Sequence, residues 1–358
     1  MEFVERLRQS GMNDISRRRL PAEWEATEAV LMAWPHPQSD WEAILEDAEA
    51  CFGAIARAIA PYARVIVLGP DIERIGRLLA DIPAGRLVTV PYLGNDTWTR
   101  DYGPITVETA DGMLPLDFRF NGWGLKFAAD RDNLATRHID SLGLFRHSPA
   151  NCLGFVLEGG SVESDGQGLV LTTDSCLMSP NRNGGMGREE ILEAVKNYLG
   201  AERVVSLANG ELAGDDTDGH IDTLARLLPP GDVIAYTGCA DPSDEHYASL
   251  KAMADELRAM RTPSGNPYHL LELPLPDAVY DPDDGHRLPA TYANFLIVNN
   301  AIILPVYRQP LKDRMAADIL SAACPEHIVV PVDCSVLIRQ HGSLHCSTMQ
   351  LPANTLAI

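Results

Sequence analysis

Apolar residues in this chain follow two spacings, and the alternation between them predicts a regular order of strands and helices. The short apolar runs at residues 29–34 and 64–68 are typical of buried strands. Between them lies a helical stripe, which follows a capping-box pattern at Ser39 and Glu42 and ends at Pro61. The stripe consists of Trp41, Ile44, Leu45, Ala48, Phe52, Ile55 and Ile59. We therefore predict the order strand, helix, strand for this part of the chain.

The same order recurs toward the C-terminus. Further helices are predicted near residues 72–80, 133–141, 188–199, from 241 onward and at 311–323, and strands near 87–90, 105–120, 155–157, 169–173, 221–237, 295–304 and 328–332. Gly200 is predicted to end one helix, and Asn299 with Asn300 to form a hairpin turn, because Asn tolerates positive φ. About five strand–strand–helix–strand units fit this length, although their sequences are not visibly similar. We predict an α/β fold in which the units close radially.

The chain of 358 residues contains no low-complexity linker that would mark a boundary between domains. A single hydrophobic core rarely grows this large, so a closed ring of units explains how the chain remains one body. Residues 1–20 are predicted to be a charged N-terminal extension with one short helix. Residues 21–358 are predicted to be a single domain.

The composition is that of a soluble globular protein, with 46% hydrophobic residues. There is no run of about 18 apolar residues, and the N-terminus lacks the apolar core of a secretory signal. Seven cysteines without a Cys-x-x-Cys pair indicate reduced thiols. We therefore expect a cytoplasmic protein that does not associate with membranes.

The formal net charge of -21 argues against a nucleic-acid partner, because phosphate binding requires a basic surface. A negative field favours a cationic ligand. Solubility alone is the competing explanation of this charge.

Residues 341–349, with the sequence His-Gly-Ser-Leu-His-Cys-Ser-Thr-Met, contain a candidate nucleophile, Cys346. A thiolate is the strongest nucleophile among ordinary side chains, but a free cysteine has a pKa of about 8.5 and needs assistance near neutrality. The alternative is a small buried hydrophobic residue, as most free cysteines are. Three distant segments favour the catalytic interpretation.

The first of these segments, residues 94–104, holds two carboxylates and an interposed arginine. We predict that Asp101 pairs structurally with Arg100 while Asp96 remains free to bind, with an Asx-turn at Asn95 and Asp96 as the alternative. In the second segment, Glu158 ends an apolar strand before two glycines, where sites are commonly assembled. A plain turn at the end of the strand is the alternative.

The third segment, residues 214–223, is the richest in chemical groups. In an extended strand His220 and Asp222 point the same way, so that a base and a carboxylate share one cleft. A divalent cation held by these groups is the alternative, although no second histidine lies at close spacing.

The four segments together supply Asp96, Glu158, His220, Asp222 and Cys346. Acids flanking a planar cation, a thiol that attacks it and a histidine that moves protons describe the hydrolysis of a guanidinium group. Two acids at about 4 Å would each contribute roughly 4 kcal/mol of attraction at an effective dielectric of 20, before desolvation is subtracted. An interaction of that size can fix a substrate.

These motifs resemble those of the bacterial agmatine deiminases, a group within the Porphyromonas-type peptidyl-arginine deiminases. The matching segments are residues 95–104 (Asn-Asp-Thr-Trp-x-Arg-Asp-x-Gly-Pro), 157–161 (Leu-Glu-Gly-Gly-Ser), 181–183 (Asn-Arg-Asn), 214–222 (Gly-Asp-Asp-Thr-Asp-x-His-x-Asp) and 345–346 (His-Cys). The resemblance runs from about residue 21 to the C-terminus. It implies the pentein fold, a five-bladed α/β propeller of ββαβ-type units around a central active site.

The resemblance also implies an activity and the role of each matched residue. The activity is the hydrolysis of agmatine to N-carbamoylputrescine and ammonia, in putrescine biosynthesis, without a metal or an organic cofactor. Cys346 is implied to be the nucleophile and His220 the general acid and base, while Asp96 and Asp222 clamp the guanidinium. Glu158 is implied to bind a guanidinium nitrogen and to orient His220. Relatives also suggest a homodimer.

The tail of the substrate is less closely specified. Two stretches depart from the usual pattern: Gly184 with Gly185, where many relatives have proline, and residues 341–344, where many have a glycine-rich loop. We expect Asp215, Asp216 and Asp218 to suit the tail, because agmatine ends in an amine that acids attract, and we also expect Trp98 to bind the substrate. Peptidyl-arginine is the alternative substrate. A metal-dependent hydrolase, an amidinotransferase and a non-catalytic propeller are the alternative classes.

Overall fold

The structure, a computed structural model, describes residues 18–358. Its strands are Thr27–Ala33, Arg64–Gly69, Leu87–Pro91, Ile105–Thr109, Gly112–Arg119, Ala150–Val156, Glu163–Ser164, Leu169–Thr173, Arg203–Leu207, Ala225–Leu228, Val233–Gly238, His269–Pro274, Leu296–Val298, Ala301–Val306, Ile328–Asp333 and Met349–Pro352. Its α-helices are Leu45–Ile59, Ile72–Leu78, Thr99–Tyr102, Gly122–Leu125, Ala135–Ser141, Asp174–Leu177, Pro180–Asn183, Arg188–Leu199, Tyr247–Ala259 and Pro310–Ala323. Short 3₁₀-helices are Glu42–Ile44, Asp132–Leu134, Gly159–Ser161, Ile221–Thr223 and Leu337–Gln340.

Most of the predicted N-terminal extension, including its short helix, lies outside the described residues. The boundary predicted at residue 20 therefore stays a prediction. Where the described chain begins, Arg19 pairs with Glu25 and Glu108 and forms a β-bridge to the latter.

Five small sheets follow one plan. In four of them three consecutive strands form the sheet, the first two antiparallel and the last two parallel. The parallel pair is joined through a helix, because parallel strands need a crossover connection. Leu296–Val298, Ala301–Val306 and Ile328–Asp333 illustrate the plan, with Pro310–Ala323 as the crossover helix. The predicted five-bladed architecture of ββαβ units is thus confirmed.

The first sheet is completed by a strand from the far end of the chain. Thr27–Ala33 pairs in parallel with Arg64–Gly69 and antiparallel with Met349–Pro352. The side chain of Thr99 reinforces this closure, because its hydroxyl lies 3.0 Å from the carbonyl oxygens of both Leu31 and Ser347. The loop that carries Cys346 is therefore held directly against the first unit.

Helical periodicity predicted most of the long helices closely, but the helix predicted from residue 241 begins only at Tyr247. Arg188–Leu199 ends at Gly200, which adopts a left-handed φ of 67°, as expected for a helix-ending glycine. Asn299 has a φ of 52° in the predicted hairpin turn. Four strands were not predicted: Glu163–Ser164, Arg203–Leu207, His269–Pro274 and Met349–Pro352. The first and last are short, and the middle two each bury a single residue, so neither leaves a clear apolar run.

Apolar faces of helices and strands fill two clusters of buried side chains. The helix Leu45–Ile59 buries Ala48, Phe52, Ile55 and Ile59 from the predicted stripe. Each large apolar side chain so buried contributes roughly 1.5–3 kcal/mol to stability. Among the helices of residues 18–358, none combines the length and hydropathy that crossing a bilayer requires.

Candidate active site

The predicted chemical residues meet at one cleft of about 440 Å³. Its lining is formed by Asp40, Asp96, Trp98, Asp101, Trp123, Phe127, Asp216, Thr217, Gln340, His341, Gly342 and Cys346. Asp222 lies below Cys346, with Oδ2 at 4.0 Å from the sulfur. His220 and Glu158 are buried next to this pair. The structure therefore brings the thiol, the histidine and several acids into one place.

Asn294 holds the thiol, and sequence reasoning missed it. Its Oδ1 accepts a hydrogen bond from the backbone N–H of His345 at 2.9 Å and lies 3.4 Å from the Cys346 sulfur. Its Nδ2 donates to the backbone carbonyl of Asp222 at 3.4 Å. Asn294 thus links the nucleophile loop to the segment that carries Asp222. It stands alone before a buried strand, so no motif pointed to it.

His220 is oriented by a buried acid. Its Nε2 lies 2.8 Å from Glu158 Oε2, and Arg182 Nε donates to both oxygens of Glu158 at 3.0 Å. Arg182 belongs to a motif that the sequence analysis quoted without giving it a role. The structure makes it the residue that holds Glu158, while the other ring nitrogen of His220 has no hydrogen-bond partner.

The element predicted for His220 was wrong. His220 precedes the 3₁₀-helix Ile221–Thr223 and is not part of an extended strand. The expected consequence still holds, since His220 Nδ1 and Asp222 Oδ2 both border the space beside Gly160. The tight helical turn, rather than the alternation of side chains along a strand, brings the side chains of His220 and Asp222 to the same point.

Asp101 faces the cleft, and its predicted pairing with Arg100 was wrong. Asp101 Oδ2 accepts from the indole N–H of Trp123 at 2.9 Å, and its Oδ1 lies 3.6 Å from His220 Nδ1. Arg100 instead approaches Glu23 at 3.7 Å. Adjacent residues in the helical turn Thr99–Tyr102 point in different directions, so neighbours in sequence are not partners here.

Asp96 borders the cleft together with Cys346, and the clamp role predicted for it stays a prediction. It lines the cleft, where its Oδ1 accepts from the backbone N–H of Thr97 at 2.7 Å. Burial raises the pKa of Asp96 to about 7, and the charge of Asp40 adds to this rise. Asp101, Asp222 and His220 all border the space beside Gly160, so Asp101 is a further acid next to the histidine. Asp96 belongs with Asp40 in the wall of the cleft.

The residues expected to bind the tail divide into two groups. Trp98 and Asp216 line the cleft. Asp218 does not, because it is engaged by Arg182 and Lys126, each at 2.6 Å. A carboxylate paired with two cations is not available to a substrate amine. The expected role of Asp218 is therefore corrected to a structural one.

The surroundings oppose ionisation of the thiol in the free protein. Burial raises the pKa of Cys346 well above its ordinary value, and the charges of Asp222 and Asp101 raise it further. Burial acts in the opposite direction on His220. There, the charge of Asp101 and the contacts with Cys176 and Glu158 prevail and raise the pKa of His220 well above its ordinary value. Before any ligand binds, the site holds a thiol and an imidazolium.

The pKa values of the buried acids Asp101 and Glu158 are shifted in opposite directions. Burial raises the pKa of Asp101 to about 6, assisted by the charges of Glu158 and Asp222. For Glu158, burial is outweighed by the bonds from His220 and the charge of Arg182, so its pKa lies below its ordinary value. Glu158 is thus ionised throughout the physiological range, while Asp101 takes up a proton as the pH falls through about 6.

Two groups of described residues could hold a metal ion: Glu158 with Cys176 and His220, and Asp281 with Asp284 and His286. In the first group both oxygens of Glu158 already accept from Arg182, which supplies the positive charge that a metal would bring. The second group lies outside the cleft lining and includes no candidate residue. A site without a metal therefore stays the prediction.

Replacing Gly160 with alanine should lower activity, because the added methyl group would crowd the side chains of the site. A Cβ there would lie 2.6 Å from His220 Nδ1, 2.8 Å from Asp101 Oδ1 and 3.1 Å from Asp222 Oδ2. Misplacing such groups by about 1 Å costs roughly 100-fold in rate. We expect kcat/KM to fall by about that factor in steady-state assays.

The control for Gly160→Ala is Gly154→Ala, where a Cβ would meet nothing within 4 Å. This variant should keep nearly full activity. Equal activity of the two variants would contradict the crowded arrangement around Gly160.

Similarity to known proteins extends over nearly the whole chain. Residues 19–352 match the model of the family described as Porphyromonas-type peptidyl-arginine deiminase. The chain is 34% identical to the agmatine deiminase of Pseudomonas aeruginosa (strain LESB58), over 94% of this chain and 95% of that protein.

Solved structures extend the likeness to the fold. A crystal structure from Porphyromonas gingivalis, named as a candidate arginine deiminase, has a TM-score of 0.89 at 49% identity and covers 95% of this chain and 100% of its own. The C. jejuni agmatine deiminase with substrate bound has a TM-score of 0.86 at 35% identity, over 93% of this chain and 96% of that one. The five-unit architecture is therefore the fold of the agmatine deiminases.

Proposed function

This chain belongs to the Porphyromonas-type peptidyl-arginine deiminase family and is a hydrolase of C–N bonds in linear amidines, and we propose that it acts on agmatine through Cys346. The products are N-carbamoylputrescine and ammonia. The observation that carries this proposal is the meeting of a thiol, a histidine and two facing acids in a cleft walled by further acids.

The charge of the cleft supports agmatine over arginine. Among the described residues that line it, four are aspartates and none is lysine or arginine. Asp40, Asp96 and Asp216 suit the amine that ends agmatine, while Trp98 and Phe127 provide apolar walls for its methylene groups. Arginine would bring a carboxylate among these acids, and like charges placed together cost several kcal/mol.

The guanidinium binds between Asp101 and Asp222 in our proposal. Asp222 Oδ1 is buried and has no hydrogen-bond partner, so it can accept a guanidinium N–H. Asp101 approaches from the side of His220. Carboxylates match guanidinium geometry bidentately, and the low dielectric of the site strengthens the pairing. Asp101 is thus proposed as a guanidinium-binding acid, and the clamp role of Asp96 stays a prediction.

Substrate binding itself creates the nucleophile. Asp101 and Asp222 hold the pKa of Cys346 up when the cleft is empty. A guanidinium between them cancels their charge, which lowers the pKa of the thiol, and the thiol releases its proton to solvent because His220 is already protonated. The thiolate then attacks the guanidinium carbon. His220 gives its Nδ1 proton to an amino nitrogen, and ammonia leaves with the electrons of the C–N bond, so that a cationic S-alkylthiouronium remains on Cys346.

Water completes the cycle. His220, now neutral, takes one proton from a water molecule as the oxygen attacks the thiouronium carbon. Collapse of this adduct breaks the C–S bond, returns the electrons to sulfur and leaves the ureido product. The second proton of the water balances the conversion of ammonia to ammonium. Glu158 holds the histidine ring throughout, since it bonds Nε2 and leaves Nδ1 free.

Peptidyl-arginine is the second candidate substrate, and the walls of the cleft argue against it. Lys126 Nζ bonds the backbone carbonyl of Asp216 and the side chain of Asp218, at 2.5 and 2.6 Å. This ties the segment with Trp123 and Phe127 to the opposite wall. A polypeptide would have to part the two walls, whereas a small linear cation need not.

Ammonia release from agmatine, arginine and a blocked arginyl peptide tests the proposal. We expect kcat/KM for agmatine to exceed that for arginine by about 100-fold or more, because of like-charge repulsion. Activity should survive a chelator. Asp216→Asn should lower the ratio of kcat/KM for agmatine to kcat/KM for arginine, since it removes one acid from the wall of the cleft. Comparable turnover of arginine or the peptide would overturn agmatine as the substrate, and loss to the chelator would favour a metal-dependent hydrolase.

We also propose a cytoplasmic location and a homodimer. All seven cysteines are free thiols, which supports a reducing compartment. The homodimer rests on the resemblance to relatives alone.

A further inference from the structure

We propose that His345 is a positioning residue: its imidazolium, held between Asp222 and Glu23, keeps Asp222 ionised and directed at the guanidinium. The inference rests on the proposed function, because it concerns the acid that binds the substrate. His345 precedes the nucleophile in sequence, but it does not line the substrate cleft. It borders a second cavity of about 630 Å³, which Glu23 also lines. Its side chain reaches the substrate site through its contact with Asp222.

The hydrogen bonds of His345 fix its charge. Nδ1 lies 2.7 Å from Asp222 Oδ2, and Nε2 lies 2.7 Å from Glu23 Oε2. An ionised carboxylate only accepts hydrogen bonds, and a neutral imidazole has a single N–H. Two ionised carboxylate partners at this distance are both satisfied when each ring nitrogen of His345 donates a hydrogen bond. All three side chains are almost fully buried, so water does not replace either partner.

Glu23 remains an anion in this network. Burial raises the pKa of Glu23, but the charges of Arg226 and His345 outweigh burial and bring the pKa well below its ordinary value. Arg226 Nη2 lies 2.9 Å from Glu23 Oε1, which also accepts from the backbone N–H of Ile297 at 2.6 Å. Glu23 is thus anchored on the side away from the substrate, and it fixes the position of His345.

Asp222 receives its orientation from the same contact. Because Oδ2 bonds His345, the unpartnered Oδ1 is the atom left for the substrate. Burial raises the pKa of Asp222, yet the hydrogen bond and charge of His345 outweigh it, so the pKa lies below its ordinary value. Without the imidazolium, burial would prevail, and Asp222 would take up a proton at a higher pH.

Other charged groups near this pair do not replace His345. Asp222 also experiences the positive charges of His220, Arg226 and Arg100 and the negative charge of Asp101, and the Cys346 thiol lies 4.0 Å away. On the other side, the negative charge of Glu163 lies near His345. Among these groups, His345 is the cation that bonds the Asp222 side chain directly.

His345→Gln is the variant that tests the proposal, because glutamine still offers an N–H but carries no charge. The acid limb is the part of the pH profile in which kcat/KM for agmatine falls as the pH is lowered, and its midpoint should move up by about one pH unit or more. At pH 6, kcat/KM should fall by roughly 10- to 100-fold. The fall of kcat/KM with decreasing pH should also become steeper, because Asp101 and Asp222 then take up protons over the same pH range. Raising the pH should restore most of the activity, which a distorted fold would not allow.

Two further variants make the test decisive. Thr348→Val lies in the same buried loop, but its hydroxyl bonds only backbone carbonyls, so its acid limb should match the wild type. Glu23→Gln should move the limb in the same direction by less, and it decides the matter if His345→Gln does not fold. Calorimetric binding of agmatine to Cys346→Ala, with and without His345→Gln, should show the same pH shift.

A wild-type acid limb in His345→Gln would overturn the inference, as would an equal loss of activity at every pH. Failure of the proposed function has a different signature. In that case the wild-type protein itself releases no ammonia from agmatine, arginine or the arginyl peptide.

Discussion

Alanine at Cys346 will abolish turnover, with ammonia release from agmatine lower by about 10⁴- to 10⁶-fold. The loss is this large because the thiol forms the covalent intermediate, and no other residue of the cleft can take its place. Binding of agmatine should persist, since Asp101 and Asp222 remain. Steady-state ammonia assays and calorimetry measure the two effects separately. Cys324→Ala, which removes a buried thiol at the end of the helix Pro310–Ala323, should keep near-normal activity.

The covalent intermediate can be identified in a stalled reaction. His220→Ala removes general acid–base assistance, which is typically worth about 10² to 10⁴ in rate, and should leave some covalent capture. Mass spectrometry should then find the amidino adduct on Cys346. Cys176 is the informative alternative, because its sulfur lies only 3.7 Å from Glu158. An adduct on Cys176 would contradict the assignment of the nucleophile.

Asparagine at Asp101 will cost far more activity than asparagine at Asp96. Removing one charge of a buried ion pair costs about 2 to 5 kcal/mol, which corresponds to roughly 30- to 5,000-fold in kcat/KM for agmatine. A smaller loss is expected for Asp96→Asn, because a pKa of about 7 leaves the Asp96 carboxyl partly protonated near neutrality, so that removing its charge changes less. Steady-state kinetics of the two variants give the comparison. Equal losses of kcat/KM in the two variants would support Asp96 as an acid that binds the guanidinium.

In the Asp101→Asn variant, the reactivity of the Cys346 thiol toward alkylation should rise while turnover of agmatine falls. The negative charge of Asp101 raises the pKa of Cys346, so removing that charge lowers the pKa and increases the thiolate at a given pH. Alkylation of Cys346 by iodoacetamide without substrate should therefore become faster, although turnover falls. In the wild type, kcat/KM should decline as the pH falls through about 6, where Asp101 takes up a proton. Slower alkylation would contradict this account.

The fold was largely predictable because its helices and central strands repeat simple periods. The crossover helix Pro310–Ala323 and the hairpin at Asn299 lie where the pattern placed them. Strand pairing was not accessible in the same way. The union of Met349–Pro352 with Thr27–Ala33 joins residues from opposite ends of the chain, and neither segment encodes its partner locally.

The site was predictable in its chemistry but not in its geometry. Cys346, His220 and Glu158 stood in recognisable motifs, and the structure brings them together. Asp101 was misassigned because adjacency to Arg100 suggested a pair, whereas the helical turn separates the two side chains. The roles of Asn294 and His345 depend on contacts across units. Such contacts leave no periodic trace in a single sequence.

The pairing of Met349–Pro352 with Thr27–Ala33 also determines when the enzyme becomes reactive during its synthesis. Residues leave the ribosome in order, so Asp101, Glu158 and His220 emerge well before Cys346 and the strand that seats it. A nascent chain therefore carries acids and a histidine without a seated nucleophile, and it stays inert toward guanidino metabolites. Reactivity therefore requires that Met349–Pro352 has paired with Thr27–Ala33.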